Sequence, residues 1–195
     1  FQPAEEGGGG GRVMVEEGVF DKFQCDTVWG MHNDPKLPAG TIATRPGPLM
    51  AAVDTVKITI NAVGCHAAMP HIGIDPIAVA VQLYTAMQTI VARNVDPITS
   101  AVVSVTMFHA GSASNVIASS SELTASIRTF DPEIRKLIEH RIREICKGME
   151  TAHNVNIDID YDNGYPATIN HAKEAAEAID IAKEIVDESM IDDNI

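Results

Sequence analysis

Between Asp54 and Asn163 the spacing of apolar residues switches between a period of two and one of about 3.6, and the order of the switches leaves few folds open. Val56, Ile58, Ile60 and Ala62 alternate with Lys57, Thr59 and Asn61, the pattern of a half-buried strand. Asp75-Pro76 then supplies an N-cap and a proline at the first helical position, and Ile77, Val81, Tyr84 and Val91 recur at helical spacing towards Arg93. Strands are predicted from about Ala101 to Phe108 and from about Glu122 to Phe130. Asp131-Pro132 repeats the helix start, and Ile134, Ile138, Ile142, Ile145 and Met149 form an apolar stripe opposite Arg135, Lys136, Glu139, Arg143 and Lys147. Val155, Ile157, Ile159 and Tyr161 alternate with Asn156, Asp158 and Asp160 in a last strand. The order is β-α-β-β-α-β over about 110 residues, the arrangement of an α+β ferredoxin-like sandwich with both helices on one sheet face.

The flanks have a different character. A glycine run, Gly7 to Gly11, leads into Arg12-Val13-Met14-Val15-Glu16-Glu17-Gly18, which reads as a helix ending at Gly18. Asp26 to His32 reads as an apolar strand ending in a histidine before the turn Asn33-Asp34-Pro35. With Phe1 and Gln2 as the end of a preceding strand, this segment is a strand, a crossover helix and a parallel strand. Glu5, Glu6 and His32 then stand at carboxyl strand ends, where open α/β sheets place ligands. After Tyr165-Pro166, Asn170 is positioned to cap a helix from His171 to about Glu188. Neither flank is long enough for its own core. The expected organisation is a partial α/β domain, residues 1–53 and 165–195, into which the ferredoxin-like domain, residues 54–164, is inserted.

Charge narrows the function. The 195 residues carry 14 Lys plus Arg against 27 Asp plus Glu, a net −13, the wrong sign for neutralising nucleic-acid phosphates. No apolar run approaches the ~20 residues of a membrane helix, and no basic stretch leads into an apolar one near the N-terminus. Cys25, Cys65 and Cys146 are odd in number and widely spaced, against a disulfide framework or zinc ribbon. A cytoplasmic protein without nucleic-acid or membrane partners is expected.

Three groups of residues carry possible chemistry. Adjacent carboxylates such as Glu5 and Glu6 are ordinarily a solvated pair, but strand-end position beside flexible glycines and a matching His32 suits zinc or manganese. One Glu can then be a ligand and its neighbour a base towards water. Gly64-Cys65-His66-Ala67-Ala68-Met69-Pro70-His71 leaves the first sandwich strand; its small residues imply tight packing, and no Asn or Asp at a recognisable spacing supports a thiol nucleophile. Asn115 ends the polar loop Gly111-Ser112-Ala113-Ser114-Asn115. On the next strand, alternation puts Arg128 on the open sheet face with Thr124, Ser126 and Phe130, and an Arg there can fork a substrate carboxylate. The glycine run lacks the Gly-Lys-Ser/Thr ending of a phosphate loop.

Taken together, Phe1-Gln2-Pro3-Ala4-Glu5-Glu6, Gly30-Met31-His32-Asn33, Arg45-Pro46-Gly47-Pro48, Gly64 to His71, Asn115-Val116-Ile117 and Arg128-Thr129-Phe130 resemble the M20 metallopeptidase family, in its hippurate hydrolase-like branch of N-acyl-amino-acid amidohydrolases. The resemblance implies an α/β catalytic domain with a ferredoxin-like satellite that dimerises, and cleavage of the amide of a small-molecule N-acyl amino acid by a metal-activated water. It makes Glu5 the general base, Glu6 and His32 metal ligands, and His66 the stabiliser of the tetrahedral intermediate in the partner's site. Asn115 and Arg128 would hold the substrate, Arg128 through its carboxylate. Two divalent ions per site are implied, zinc or manganese, with cobalt and nickel tolerated by such ligands. The family's remaining ligands are expected upstream of Phe1 and downstream of Ile195, so the chain is read as an internal piece of a longer enzyme. The alternative is a non-catalytic dimerisation or ligand-binding module. Cys65 stands where the branch usually has Gly, and Ala118 where Pro commonly follows Asn-Val-Ile.

Overall fold

The computed structural model describes residues 2–4, 7–193 and 195. The chain divides into two compact units, 1–39 and 40–195. In the first, the elements are α1 (Gly10–Glu16) and α2 (Val19–Phe23). The helix expected from Arg12 is thus present and begins slightly earlier. The strand expected over Asp26 to His32 is not: those residues form no regular element among the described residues. A strand exists only through a ladder to a neighbour, and none of the described residues pairs with it there.

The second unit runs β1 (Ile42–Ala43), β2 (Gly47–Met50), β3 (Ala52–Asn61), β4 (Cys65–His66), α3 (Pro76–Met87), α4 (Thr89–Asn94), β5 (Ala101–Ala110), β6 (Val116–Ile117), β7 (Ser120–Thr129), α5 (Pro132–His153), β8 (Asn156–Asn163), β9 (Thr168–Asn170), α6 (Ala172–Ala182) and β10 (Ile191–Asp192). The long strands form one antiparallel sheet in the order β5-β7-β3-β8. Their period of two produces one buried face: Val56, Ile58 and Ile60 of β3 and Leu123, Ala125 and Ile127 of β7 are at most 1% exposed, while their alternates face out.

Helices α3, α4 and α5 cover that face. Asp75 caps α3 by accepting from the Ile77 N–H, and Asp131 caps α5 by accepting from Glu133 and Ile134, each with proline at the first turn as expected. Helix α5 buries Ile138, Ile142 and Cys146, in line with its stripe. Helix α3 buries Val79, Ala80, Leu83 and Met87, and leaves Ile77, Val81 and Tyr84, the apolar positions picked out by spacing, exposed. The α3 segment is apolar almost all round, so spacing alone does not choose its inner face. The single helix expected to reach Arg93 is divided at Gln88 into α3 and α4. The core cluster draws its buried and half-buried members from Val56 to Tyr161.

The flanking segments of this unit pair with each other: β1 with β10 in parallel, β2 with β9 antiparallel. Where the chain enters and leaves the sheet, the Val53 N–H donates to the Tyr165 carbonyl at 3.0 Å. Gly164 lies so close that a Cβ would stand 2.2 Å from the Val53 carbonyl oxygen. Arg135 closes the crossing from α5. Its Nε donates to Asp54 Oδ2 at 2.9 Å, its Nη2 donates to Asp54 Oδ1, and Nη2 also donates to the Gly164 carbonyl at 2.9 Å. Tyr161 adds a hydroxyl donated to Asp54 Oδ2 at 3.4 Å. The hydrogen bond to Asp54 raises the Arg135 pKa against the cost of its burial; burial, then the Asp54 charge, raises that of Tyr161. Asn170 does not cap α6, whose N-cap is His171. Its amide instead donates to Thr44 Oγ1 at 3.2 Å and the Arg45 carbonyl at 3.0 Å.

Candidate active site

His66 and Asn115 meet at one end of the four-stranded sheet. Gly64 lets the chain leaving β3 lie against β6, since a Cβ there would stand 2.9 Å from the Ile117 carbonyl oxygen. Strand β4 pairs antiparallel with β6, Cys65 opposite Ile117 and His66 opposite Val116. The Ala67 N–H donates to the Asn115 carbonyl at 2.9 Å, and both His66 and Asn115 are exposed. Cys65, at the position where glycine is usual in the branch it resembles, is accommodated within this ladder.

The hydrogen-bond pattern assigns the His66 tautomer. The Ala68 N–H donates to His66 Nδ1 at 3.1 Å, so the neutral ring carries its proton on Nε2 and offers Nε2–H as a donor. His32, in the first unit, is set the other way. Its Nδ1 lies 2.8 Å from the Asn33 carbonyl oxygen, a contact that needs a proton on Nδ1 and leaves the lone pair on Nε2. A backbone carbonyl orienting the far nitrogen is the usual support of a metal-ligating imidazole. The donor chemistry of His32 therefore fits a divalent ion. Glu5 and Glu6, the expected base and ligand, lie outside the described residues. Among the described residues no three His, Cys, Asp or Glu side chains gather into a metal cage.

Arg128 is half-buried on the sheet face that the helices leave uncovered. Its in-register neighbours are Val53 on β3 and Val102 on β5. Its Nη1 donates to Ser126 Oγ at 2.8 Å and to the Ile127 carbonyl at 2.9 Å. Ser120, at the other end of β7, pairs with Asn61, the last residue of β3 before the His66 turn. The eight steps along the strand from Ser120 to Arg128, at about 3.4 Å each, span roughly 27 Å. The structure thus brings His66 to Asn115, and sets Arg128 at the far end of the strand from both.

The three cysteines are free. Burial pushes the Cys146 thiol up to about 12, which keeps it protonated and inert. Sequence reasoning did not find the Ala68 N–H behind His66 or the Ser126 hydroxyl behind Arg128. The first is a backbone group without residue identity. The second was visible only as a polar residue two positions before Arg128 on the same face.

The description Peptidase family M20/M25/M40 matches residues 1–194, and the chain belongs to that family. It is 41% identical over 194 residues to hippurate hydrolase of Campylobacter jejuni, covering 100% of this chain and 51% of that protein. Over 170 residues it is 41% identical to N-acetyl-L-cysteine deacetylase of Bacillus subtilis, covering 87% of this chain and 40% of that one. The chain spans about half the length of the curated relatives it matches. Among solved structures it is similar to the YXEP protein of Bacillus subtilis, a dinuclear metal-binding peptidase from the M20 family, with TM-score 0.71 and 33% identity over 95% of this chain and 46% of that one.

Proposed function

We propose that the protein containing this chain is a metal-dependent amidohydrolase that cleaves the amide bond of N-acyl amino acids, hippurate-like substrates among them. The observation that carries the reading is the pair of histidines held in opposite tautomers, each the one its role needs: a free Nε2 lone pair on His32 and an Nε2–H on His66. Family membership and the names of the two curated relatives, a hydrolase and a deacetylase, favour it over a non-catalytic dimerisation or ligand-binding module.

In this reading Glu6 and His32 help hold divalent metal, two ions per site, zinc or manganese with cobalt and nickel as alternatives. When bound, such an ion supplies polarisation of the amide carbonyl and a lowered pKa for the attacking water. Glu5 takes the proton of that water and returns it to the leaving amine. The His66 Nε2–H donates to the oxyanion of the tetrahedral intermediate. Arg128 forks the substrate carboxylate and Asn115 contacts the substrate from the His66 side.

The separation along β7 sets how these roles combine. A substrate held by Arg128 is out of reach of His66 and Asn115 of the same chain, so the site is completed by a second copy. The proposal therefore includes a homodimer. Exposed apolar residues support it: Ile77, Val81 and Tyr84 on α3, and Val102, Met107 and Phe108 on the edge strand β5. Residues 54–164 form the ferredoxin-like satellite, supported by the strand order β5-β7-β3-β8 and by a core drawn from Val56 to Tyr161. Residues 1–53 and 165–195 belong to the catalytic domain, supported by the pairing of β1 with β10 and β2 with β9. Three free cysteines suit the cytoplasm, and no helix among the described residues is long and apolar enough to cross a membrane.

The test is release of free amino acid from N-benzoylglycine and a series of N-acetyl amino acids by the protein that contains this chain. Turnover is expected to cease on chelation and return with metal, and Glu5→Gln is expected to lower kcat by roughly 10² to 10⁴ with metal still bound. Substantial turnover by the metal-loaded Glu5→Gln protein would remove Glu5 from the base role.

A further inference from the structure

Among the described residues, Arg128 is held through one nitrogen. Its Nη1 spends both protons inside the protein, one on Ser126 Oγ at 2.8 Å and one on the Ile127 carbonyl at 2.9 Å. Nε and Nη2 are engaged by no group among the described residues. The Nε–Nη2 edge carries two roughly parallel N–H bonds, the fork that matches the two oxygens of a carboxylate. The in-register neighbours of Arg128 on both sides are valines, Val53 and Val102, which have no polar atom with which to steer a guanidinium. The anchor comes instead from the adjacent row, where Ser126 lies between Thr55 and Ser104. The Ile127 carbonyl is a backbone group that any sequence would supply, so the Ser126 hydroxyl is the side-chain contribution to the orientation.

We infer that Ser126 is a positioning residue for substrate recognition: by accepting from Nη1 it turns the guanidinium of Arg128 so that its Nε–Nη2 edge faces outward for a substrate carboxylate. The inference deepens the proposed function and rests on Arg128 being the carboxylate's partner. Without the hydroxyl, the flexible Arg side chain spends more of its time in rotamers that cannot fork the ligand, and the entropy of ordering it falls on the binding step. The consequence is a change in affinity for carboxylate-bearing substrates, with the chemical step preserved.

The experiment compares Ser126→Ala, Ser126→Thr and Arg128→Met in the enzyme that contains this chain, with an N-acyl amino acid and its carboxamide analogue as substrates. Ser126→Ala is expected to raise KM for the carboxylate about tenfold, the range of one charge-assisted hydrogen bond, to leave kcat within about twofold, and to leave the carboxamide's kinetics unchanged. Ser126→Thr, which keeps the hydroxyl, is expected to restore KM. If Arg128→Met raises KM for the carboxylate and Ser126→Ala does not, the positioning role is overturned while the Arg128 reading stands. If Ser126→Ala weakens both substrates equally, its effect is general and the inference is overturned. An Arg128→Met enzyme with unchanged KM would sink the Arg128 reading, and the inference with it.

Discussion

Asp54 is a carboxylate at 1% exposure on a sheet face packed mainly with aliphatic side chains, and among the described residues Arg135 and the Tyr161 hydroxyl keep it from being an isolated buried charge. Asp54 is in phase with Val56, Ile58 and Ile60, so carrying their period of two one step back puts it on the inner face, a step the apolar pattern alone did not prompt. Its partner was not legible, because Arg135 belongs to the polar side of the α5 stripe and reaches back over the start of the helix with its long side chain. Arg135→Met is expected to destabilise the fold by roughly 3–5 kcal/mol, since it strands the Asp54 charge. Urea denaturation measures this, and a loss below about 1 kcal/mol would show that the ion pair is not what holds the crossing. The same limit applies to the candidate site. Residue types pointed to His32, His66 and Arg128, but the Asn33 carbonyl, the Ala68 N–H and the Ser126 hydroxyl that set their working atoms are matters of local backbone geometry.

At the scale of elements, the strands were the most legible part because one face of the sheet is covered and the other is not, so burial follows sequence parity. The Asp-Pro helix starts at 75–76 and 131–132 were equally readable, since each combines a side-chain cap with a proline whose missing N–H costs nothing there. Helix α3 was legible as an element but not in its orientation. Leu83, wholly buried, and Ile77, 40% exposed, differ in environment but not in hydrophobic character. Leu83→Ala is expected to cost about 2–5 kcal/mol of stability by leaving a cavity. Ile77→Ala is expected to stay within about 0.5 kcal/mol in the monomer while weakening self-association, with thermal denaturation and light scattering as the two readouts. Equal destabilisation by the two would contradict the assignment of the inner face. The strand expected over Asp26 to His32 marks the opposite case, where an apolar run makes a strand only if a neighbouring strand accepts its hydrogen bonds.

For the whole molecule, the decisive geometry is the length of β7. It ties the His66 and Asn115 loops to one end of the sheet and Arg128 to the other, near the crossing where Arg135 joins Asp54 and Gly164. One substrate cannot span that distance. With the roles proposed for these residues, a complete site takes Arg128 from one copy and His66 with Asn115 from another. The measurement that tests this most directly is complementation: His66→Ala and Arg128→Met are made separately, shown to be impaired towards an N-acyl amino acid, and then coexpressed. Mixed dimers contain one site with both residues intact and one with neither. The account predicts recovery of up to about a quarter of wild-type turnover, because half of randomly assembled dimers are mixed and each has one intact site. Coexpressed dimers no more active than either variant alone would contradict it.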